Sequence, residues 1–195
     1  MIKLIDILEN KILVPRRSKE ERAKNYQISL QKKIQQYIKD GGKGDLDLSD
    51  LPPISLPDNL QVGGYLDLRN TPISTFPNNL KVKGSLILHN TKISSLPDNL
   101  TVGDALDLRG TPITSLPNNL QVGGTLYLMD TNINSLPDNL KVGGTLALDS
   151  SKISSLSSTL QVKGNLDLYN TPISQKYSEE EIRKMVPGVK GRIIL

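Results

Sequence analysis

Apolar and polar positions along the chain follow a repeated order. Residues 56–75 read LPDNLQVGGYLDLRNTPIST, and close copies begin at Phe76, Leu96, Leu116, Leu136 and Leu156, so LPxNLxVxGxLxLxxTxIxS recurs every 20 residues. A fixed period of that size predicts a solenoid, in which each repeat packs only on its neighbours. Within GGYLDLR, Leu66 and Leu68 alternate with Tyr65, Asp67 and Arg69, which is the period of a strand with one face inward. Equivalent strands are predicted over 84–88, 104–108, 124–128, 144–148 and 164–168. They should stack in parallel, because every connection is long and runs the same way.

The other positions close the coil. Pro57, Pro77, Pro97, Pro117 and Pro137 lack a backbone N–H, which suits a turn or extended arc rather than a second sheet. Gly64, Gly84, Gly124, Gly144 and Gly164 open the strands, where a positive φ or a close approach is expected. The roughly dozen residues left per repeat are too few for a helix with two connections at about 1.5 Å rise per residue, so an extended or 3₁₀ back is predicted.

Both ends carry signals of their own. Ser18 and Glu21 form a capping box, and Ala23, Tyr26, Leu30, Ile34, Tyr37 and Ile38 follow at helical spacing until DGGKG stops the helix. Ser178 and Glu181 predict a second helix, ended by Pro187 and Gly188, after which VKGRIIL matches VKGSLIL at 82–88. The expected organisation is an N-terminal segment and helical cap over 1–43, a solenoid over 44–175, and a C-terminal helix and strand cap over 176–195. GDLDL at 44–48 is already in phase, so a single parallel sheet of about eight strands is expected.

Composition narrows the chemistry. With no Trp, one Phe and six Tyr, the interior must be filled by Leu, Ile and Val. The chain has no Cys, which excludes disulfides, thiolate metal sites and a Cys nucleophile. A single His, His89, leaves no basis for a His-based triad or metal cluster. Residues 1–45 hold eleven Lys or Arg against six Asp or Glu, and the remainder thirteen against fourteen, so the net charge of +4 belongs to the N-terminal segment. MIKLIDILENKILV is interrupted by Asp6 and Glu9 and does not read as a secretory signal. A soluble, cytoplasmic protein with no membrane role is expected.

The segments LDLRNTPI, LILHNTKI, LDLRGTPI and LYLMDTNI resemble the LxLxxNxL core of leucine-rich repeat proteins. The 20-residue length and the LPxNL segment are similar to the short bacterial class, and the wording resembles repeat proteins of bacteria and their phages. The resemblance implies a leucine-rich-repeat solenoid that binds a protein, located in a host cytoplasm or a virion if phage-encoded. Two positions depart from it. Thr71, Thr91, Thr111, Thr131 and Thr171 stand where the family usually has Asn, with Ser151 in the same place. The leading Leu of the strand motif is also missing, with Val one residue earlier, which keeps a parallel β-helix with extra sheets open as the alternative fold.

Outward positions of the predicted sheet form columns with one residue per repeat. One reads Asp47, Asp67, Ile87, Asp107, Tyr127, Ala147, Asp167, and its neighbour reads Ser49, Arg69, His89, Arg109, Met129, Asp149, Tyr169. Inward positions barely vary while these do, and Arg, Tyr, Met and Ile are types enriched at interface cores. The candidate partner-binding face is therefore Tyr65, Asp67, Arg69, Ile87, His89, Asp107, Arg109, Tyr127, Met129, Asp149, Asp167 and Tyr169.

Asp47 and Asp67 stack at a separation near the roughly 5 Å of a retaining glycosidase pair, but Arg69 neutralises Asp67 and no insertion builds a pocket. No catalytic residue, metal site or cofactor is assigned. Arg16, Arg17, Lys24 and Lys32 offer contacts to nucleic acid, although Glu20 and Glu21 between them favour a solvated helix face. The leading expectation is a non-catalytic module that binds a protein through its sheet face. The alternative is a structural component, for example of a phage particle, docked through the basic N-terminal segment.

Overall fold

The computed structural model describes residues 18–98, 100–118 and 120–195, which fall into two compact units divided between Lys39 and Asp40. In the first unit, helix α1 (Lys19–Lys39) starts at the predicted capping box. The Ser18 backbone N–H donates to Glu21 Oε2 at 2.9 Å, and the Glu21 N–H donates to Ser18 Oγ at 3.0 Å. These bonds satisfy donors that the first helical turn leaves without partners. Of the apolar stripe only Leu30 and Ile34 are buried, while Tyr26 and Ile38 are exposed. The apolar run at the chain start, Arg16, Arg17, Asn99 and Asn119 lie outside the described residues.

The second unit is a parallel β-solenoid with two sheets. The first contains β1 (Leu46–Asp47), β3 (Leu66–Asp67), β5 (Leu86–Ile87), β7 (Leu106–Asp107), β9 (Leu126–Tyr127), β11 (Leu146–Ala147), β13 (Leu166–Asp167) and β14 (Ile193–Ile194), in that order. The second contains β2 (Gln61–Val62), β4 (Lys81–Val82), β6 (Thr101–Val102), β8 (Gln121–Val122), β10 (Lys141–Val142) and β12 (Gln161–Val162). Residues twenty apart are vertical neighbours in both, as in Leu66↔Leu86 and Val82↔Val102. The last pairing, Leu166↔Ile193, is longer because helix α2 (Glu179–Met185) is inserted ahead of it.

This architecture overturns the leucine-rich-repeat reading, with its single sheet and helical caps, in favour of the β-helix alternative. The Pro residues do sit in turns, and the Leu100 and Leu120 N–H groups donate to the carbonyls of Pro97 and Pro117. A strand nevertheless begins directly after each turn. Val62, Val82, Val102, Val122, Val142 and Val162 point inward and are buried, while Gln, Lys or Thr before them face out. The strands are two residues long rather than five, and the path between Leu68 and Leu80 is irregular, with no 3₁₀ segment among the described residues.

The two strands of a turn meet at a corner occupied by glycine in every turn but one, where Asp104 stands. Here N–H groups donate from turn to turn: Gly84 to Gly64 O at 3.0 Å, Gly124 to Asp104 O at 3.0 Å, Gly144 to Gly124 O at 2.8 Å and Gly164 to Gly144 O at 2.9 Å. None of these glycines has a positive φ. Their role is close approach, since a Cβ on Gly164 would lie 2.6 Å from the Gly144 carbonyl carbon. The left-handed positions are taken instead by Asn59, Asn79 and Asn139 at one bend and by Asp50, Asn70, Asn90, Gly110, Asp130, Ser150 and Asn170 at another. Asn and Asp tolerate that region because their short polar side chains bond locally. These side chains also join turns, with Asn70 Nδ2 donating to Asp50 Oδ1 and Asn90 Nδ2 to Asn70 Oδ1.

The interior is a set of aliphatic columns, among them Leu48, Leu68, Leu88, Leu108, Leu128, Leu148 and Leu168, each 1% exposed or less. Burying each such side chain stabilises by about 2 kcal/mol. A column of hydroxyls runs beside them. Thr71, Thr111, Thr131 and Thr171 each donate through Oγ1 to the carbonyl three residues back at 2.6 Å, whereas the buried hydroxyls of Thr91 and Ser151 have no partner.

Leu128→Ala should therefore lower stability by about 2–5 kcal/mol, read by chemical denaturation. Thr111→Val should cost about 1 kcal/mol through its lost hydrogen bond, while Thr91→Val should cost nothing or stabilise. Equal losses at the two threonines would contradict the assigned difference.

Candidate functional site

The predicted columns do lie together on the outward side of the first sheet, but several of their members serve the fold. The Asp67 carboxylate accepts from the Arg69 backbone N–H at 3.0 Å, and Asp107 and Asp167 accept from the N–H groups of Arg109 and Tyr169 at 3.1 and 3.0 Å. Asp47 does the same for Ser49, from both its N–H at 2.9 Å and its hydroxyl at 2.7 Å. Each carboxylate thus satisfies a backbone donor just beyond the end of its two-residue strand, where the sheet ladder no longer supplies a partner. This is why Asp67 and Asp107 are only 3% and 6% exposed although they point away from the core. The stacked pair Asp47 and Asp67 is engaged in the same way, one carboxylate to each turn.

The arginines complete this arrangement. Arg69 Nη2 lies 3.2 Å from Asp67 Oδ2. Arg109 grips Asp107 with two bonds, Nε to Oδ1 at 2.9 Å and Nη2 to Oδ2 at 2.6 Å, the paired geometry that strengthens arginine–carboxylate contacts. That hydrogen bonding raises the Arg109 pKa above its ordinary value, so its charge is fixed. Its guanidinium carbon also stands 5.4 Å from the Tyr127 ring centroid, within cation–π range. Ile87 and His89 occupy the turn between the two Asp–Arg pairs, and Met129 follows Arg109 in its column, all half-buried. Tyr65 and Tyr169 are exposed, at 37% and 61%.

One end of the face is acidic. Asp149 is half-buried, and burial pushes its carboxyl pKa up, with the charges of Asp167 and Asp130 adding to the effect. Among the described residues no group of three His, Cys, Asp or Glu is placed to hold a metal ion.

On α1, Lys24 and Lys32 are exposed and border one strip of the helix with Gln27, Ile28 and Gln31. No helix among the described residues is long and apolar enough to cross a membrane.

The sequence reading missed the outer face of the second sheet. A depression of about 670 Å³ lies there, bordered by Thr101, Gln121, Lys141, Gln161, Lys163 and Lys190. Its signal was present in LQVGG and LKVKG, where a polar residue alternates with the inward Val.

Because Asp149 has a raised pKa in the fold, its ionisation opposes folding: stability falls as pH rises from the ordinary 3.8 through the raised value. Asp149→Asn should raise the melting temperature at pH 7 and leave it unchanged at pH 3; an equal rise at both would remove the electrostatic cause. Arg109→Ala should lower stability by about 1 kcal/mol, since its partner is nearly buried while Arg109 itself is largely exposed. No protein-family model matches the chain, and no curated protein matches it.

Proposed function

We propose that this repeat protein is a structural component of a larger assembly, its solenoid a stiff spacer and its basic N-terminal segment the docking element. The observation that carries this reading is the use of polar side chains to tie successive turns together. The Tyr65 N–H donates to Asp45 Oδ1 at 2.9 Å, the Asn78 N–H to Asp58 Oδ1 at 2.8 Å, and Asn79 Nδ2 to Asn59 Oδ1 at 3.0 Å. Further along, Ser85 Oγ and Ser157 Oγ donate to Asp104 and Asp138 of adjacent turns at 2.9 and 2.6 Å. Carboxylates and amides that would otherwise be free for chemistry or recognition are occupied in this way. A column with both backbone and side-chain bonds between turns resists bending and shear better than one packed by aliphatic contacts alone.

A second reading, binding of a protein through the first sheet, is favoured by the Arg109–Tyr127 pair, because desolvated Arg and Tyr are frequent interface anchors. Arg69 and Arg109 hold nearly buried carboxylates, so replacing them confounds binding with stability. His89, Tyr127 and Met129 are the cleaner probes of the face.

The two readings separate in the cells that make the chain. Deleting residues 1–17, ahead of the Ser18 cap, should release the protein from fast-sedimenting material. The variant His89→Ser/Tyr127→Ser/Met129→Ser should remain associated. The opposite pattern would reject docking through the N-terminal segment and support the sheet face.

A further inference from the structure

We infer that the outer face of the second sheet is a binding groove for a linear anionic polysaccharide lying along the stack of turns. Three properties carry this. The first is charge. Lys141, Lys163 and Lys190 come from three successive turns and border the depression together with Thr101, Gln121 and Gln161. Lys81 and Lys83 continue the same columns toward the other end of the sheet. No carboxylate borders the depression, and none of these five lysines is in an ion pair among the described residues. The acidic column Asp47, Asp67, Asp107 and Asp167 lies on the other sheet, where Arg69 and Arg109 pair with two of its carboxylates, so no carboxylate of that column faces the lysines.

The second property is the floor. Between the side-chain column of Gln and Lys and the corner stand Gly103, Gly123 and Gly143. A Cβ on any of them would come within 2.0 Å of the carbonyl oxygen of the turn before. Gly103, Gly123 and Gly143 thus leave a bare backbone strip three turns long beside the row of polar side chains, with Lys83 and Lys163 in the same column at its two ends. A ligand can approach the backbone closely over those three turns and meet a lysine at either end.

The third is the kind of polar group offered. Gln61, Gln121, Gln161 and Thr101 present donors and acceptors suited to hydroxyls, and the lysines present point charges suited to carboxylates. Successive turns lie about 4.8 Å apart, close to the length of one pyranose ring, so a ribbon-like glycan can repeat its contacts turn by turn.

Other polyanions fit less well. Single-stranded nucleic acid is held by aromatic platforms and Arg in addition to charge, and the groove borders contain neither. A protein partner needs apolar or aromatic anchors, and the Val side chains of this sheet are buried.

Affinity electrophoresis of the full chain in gels containing polygalacturonate tests the assignment. Migration should be strongly retarded, more weakly as salt rises, and unaffected by the fully methyl-esterified polymer. Lys141→Ser/Lys163→Ser/Lys190→Ser should weaken retention by at least about tenfold, as expected for the loss of three charge contacts, with an unchanged melting temperature because all three side chains are exposed. Lys24→Ser/Lys32→Ser on α1 should leave retention as it was. Retention that survives the groove variant, that is lost only in the α1 variant, or that single-stranded DNA of matched charge reproduces equally well would overturn the proposal, as would no retention of the unaltered chain.

Discussion

A turn of this solenoid cannot satisfy its own backbone. With two-residue strands, most N–H and C=O groups of the coil can be paired only by the turn above or below, at a vertical offset of twenty residues. Nearly every other feature follows from that requirement. The period is strict because a single inserted residue would move a whole column out of register. Leu, Val and Ile recur at the same places because each must cover its counterpart in the next turn. Where the chain does insert residues, between Ile173 and Val189, it places them in helix α2, whose Ser178–Glu181 capping box and Glu179–Arg183 and Glu180–Lys184 pairs are internal, while buried Ile182 and an Arg183 bond to the Gly191 carbonyl anchor it.

The same requirement decides what the outward residues do. A strand of two residues ends abruptly, and although the next N–H still donates to the adjacent turn, the one after it, at Arg69, Arg109 or Tyr169, is met by a side chain instead. Asp67, Asp107 and Asp167 reach back to fill that place, while Arg69 and Arg109 then neutralise the carboxylates so recruited. Turns with Ile87, Tyr127 or Ala147 at this position forgo the bond. Variation between copies is thus only partly a record of recognition, because one of the alternatives, Asp followed by Arg, is a local solution to backbone satisfaction.

How much of this could be read from residues alone depends on how far each signal extends. The period, the inward Leu columns and the parallel stacking come from six near-identical copies, and no single local preference could have obscured them. The second sheet was hidden because its strands offer one inward residue each, Val62 or Val82, too short a stretch for alternation to be distinguished from an apolar residue in a loop. Likeness of LxLxxTxI to leucine-rich repeats then assigned the whole strand content to one side. Of the two roles expected for the strand-opening glycines, a positive φ or a close approach, the structure shows the second. Glycine is the usual occupant of the positive-φ region, but here steric crowding between turns reserves Gly64, Gly84 and Gly164 for close approach, and Asn59, Asn70 and Asn90 take the left-handed bends.

The two faces therefore differ in what evolution could vary. On the first sheet an outward side chain is also a candidate partner for a dangling N–H, so its identity is constrained by the fold even where it meets solvent. On the second sheet each strand runs into the glycine corner, whose N–H groups are already paired from turn to turn, and the outward Gln, Lys and Thr side chains have no such duty. Their restriction to uncharged hydrogen-bonding or cationic types is not explained by stacking, since Asp or Ala in those places would disturb no ladder. The chemistry of that face is the part of the surface that the architecture leaves undetermined, whereas in the Asp–Arg columns side-chain identity is set in part by the backbone donors it satisfies.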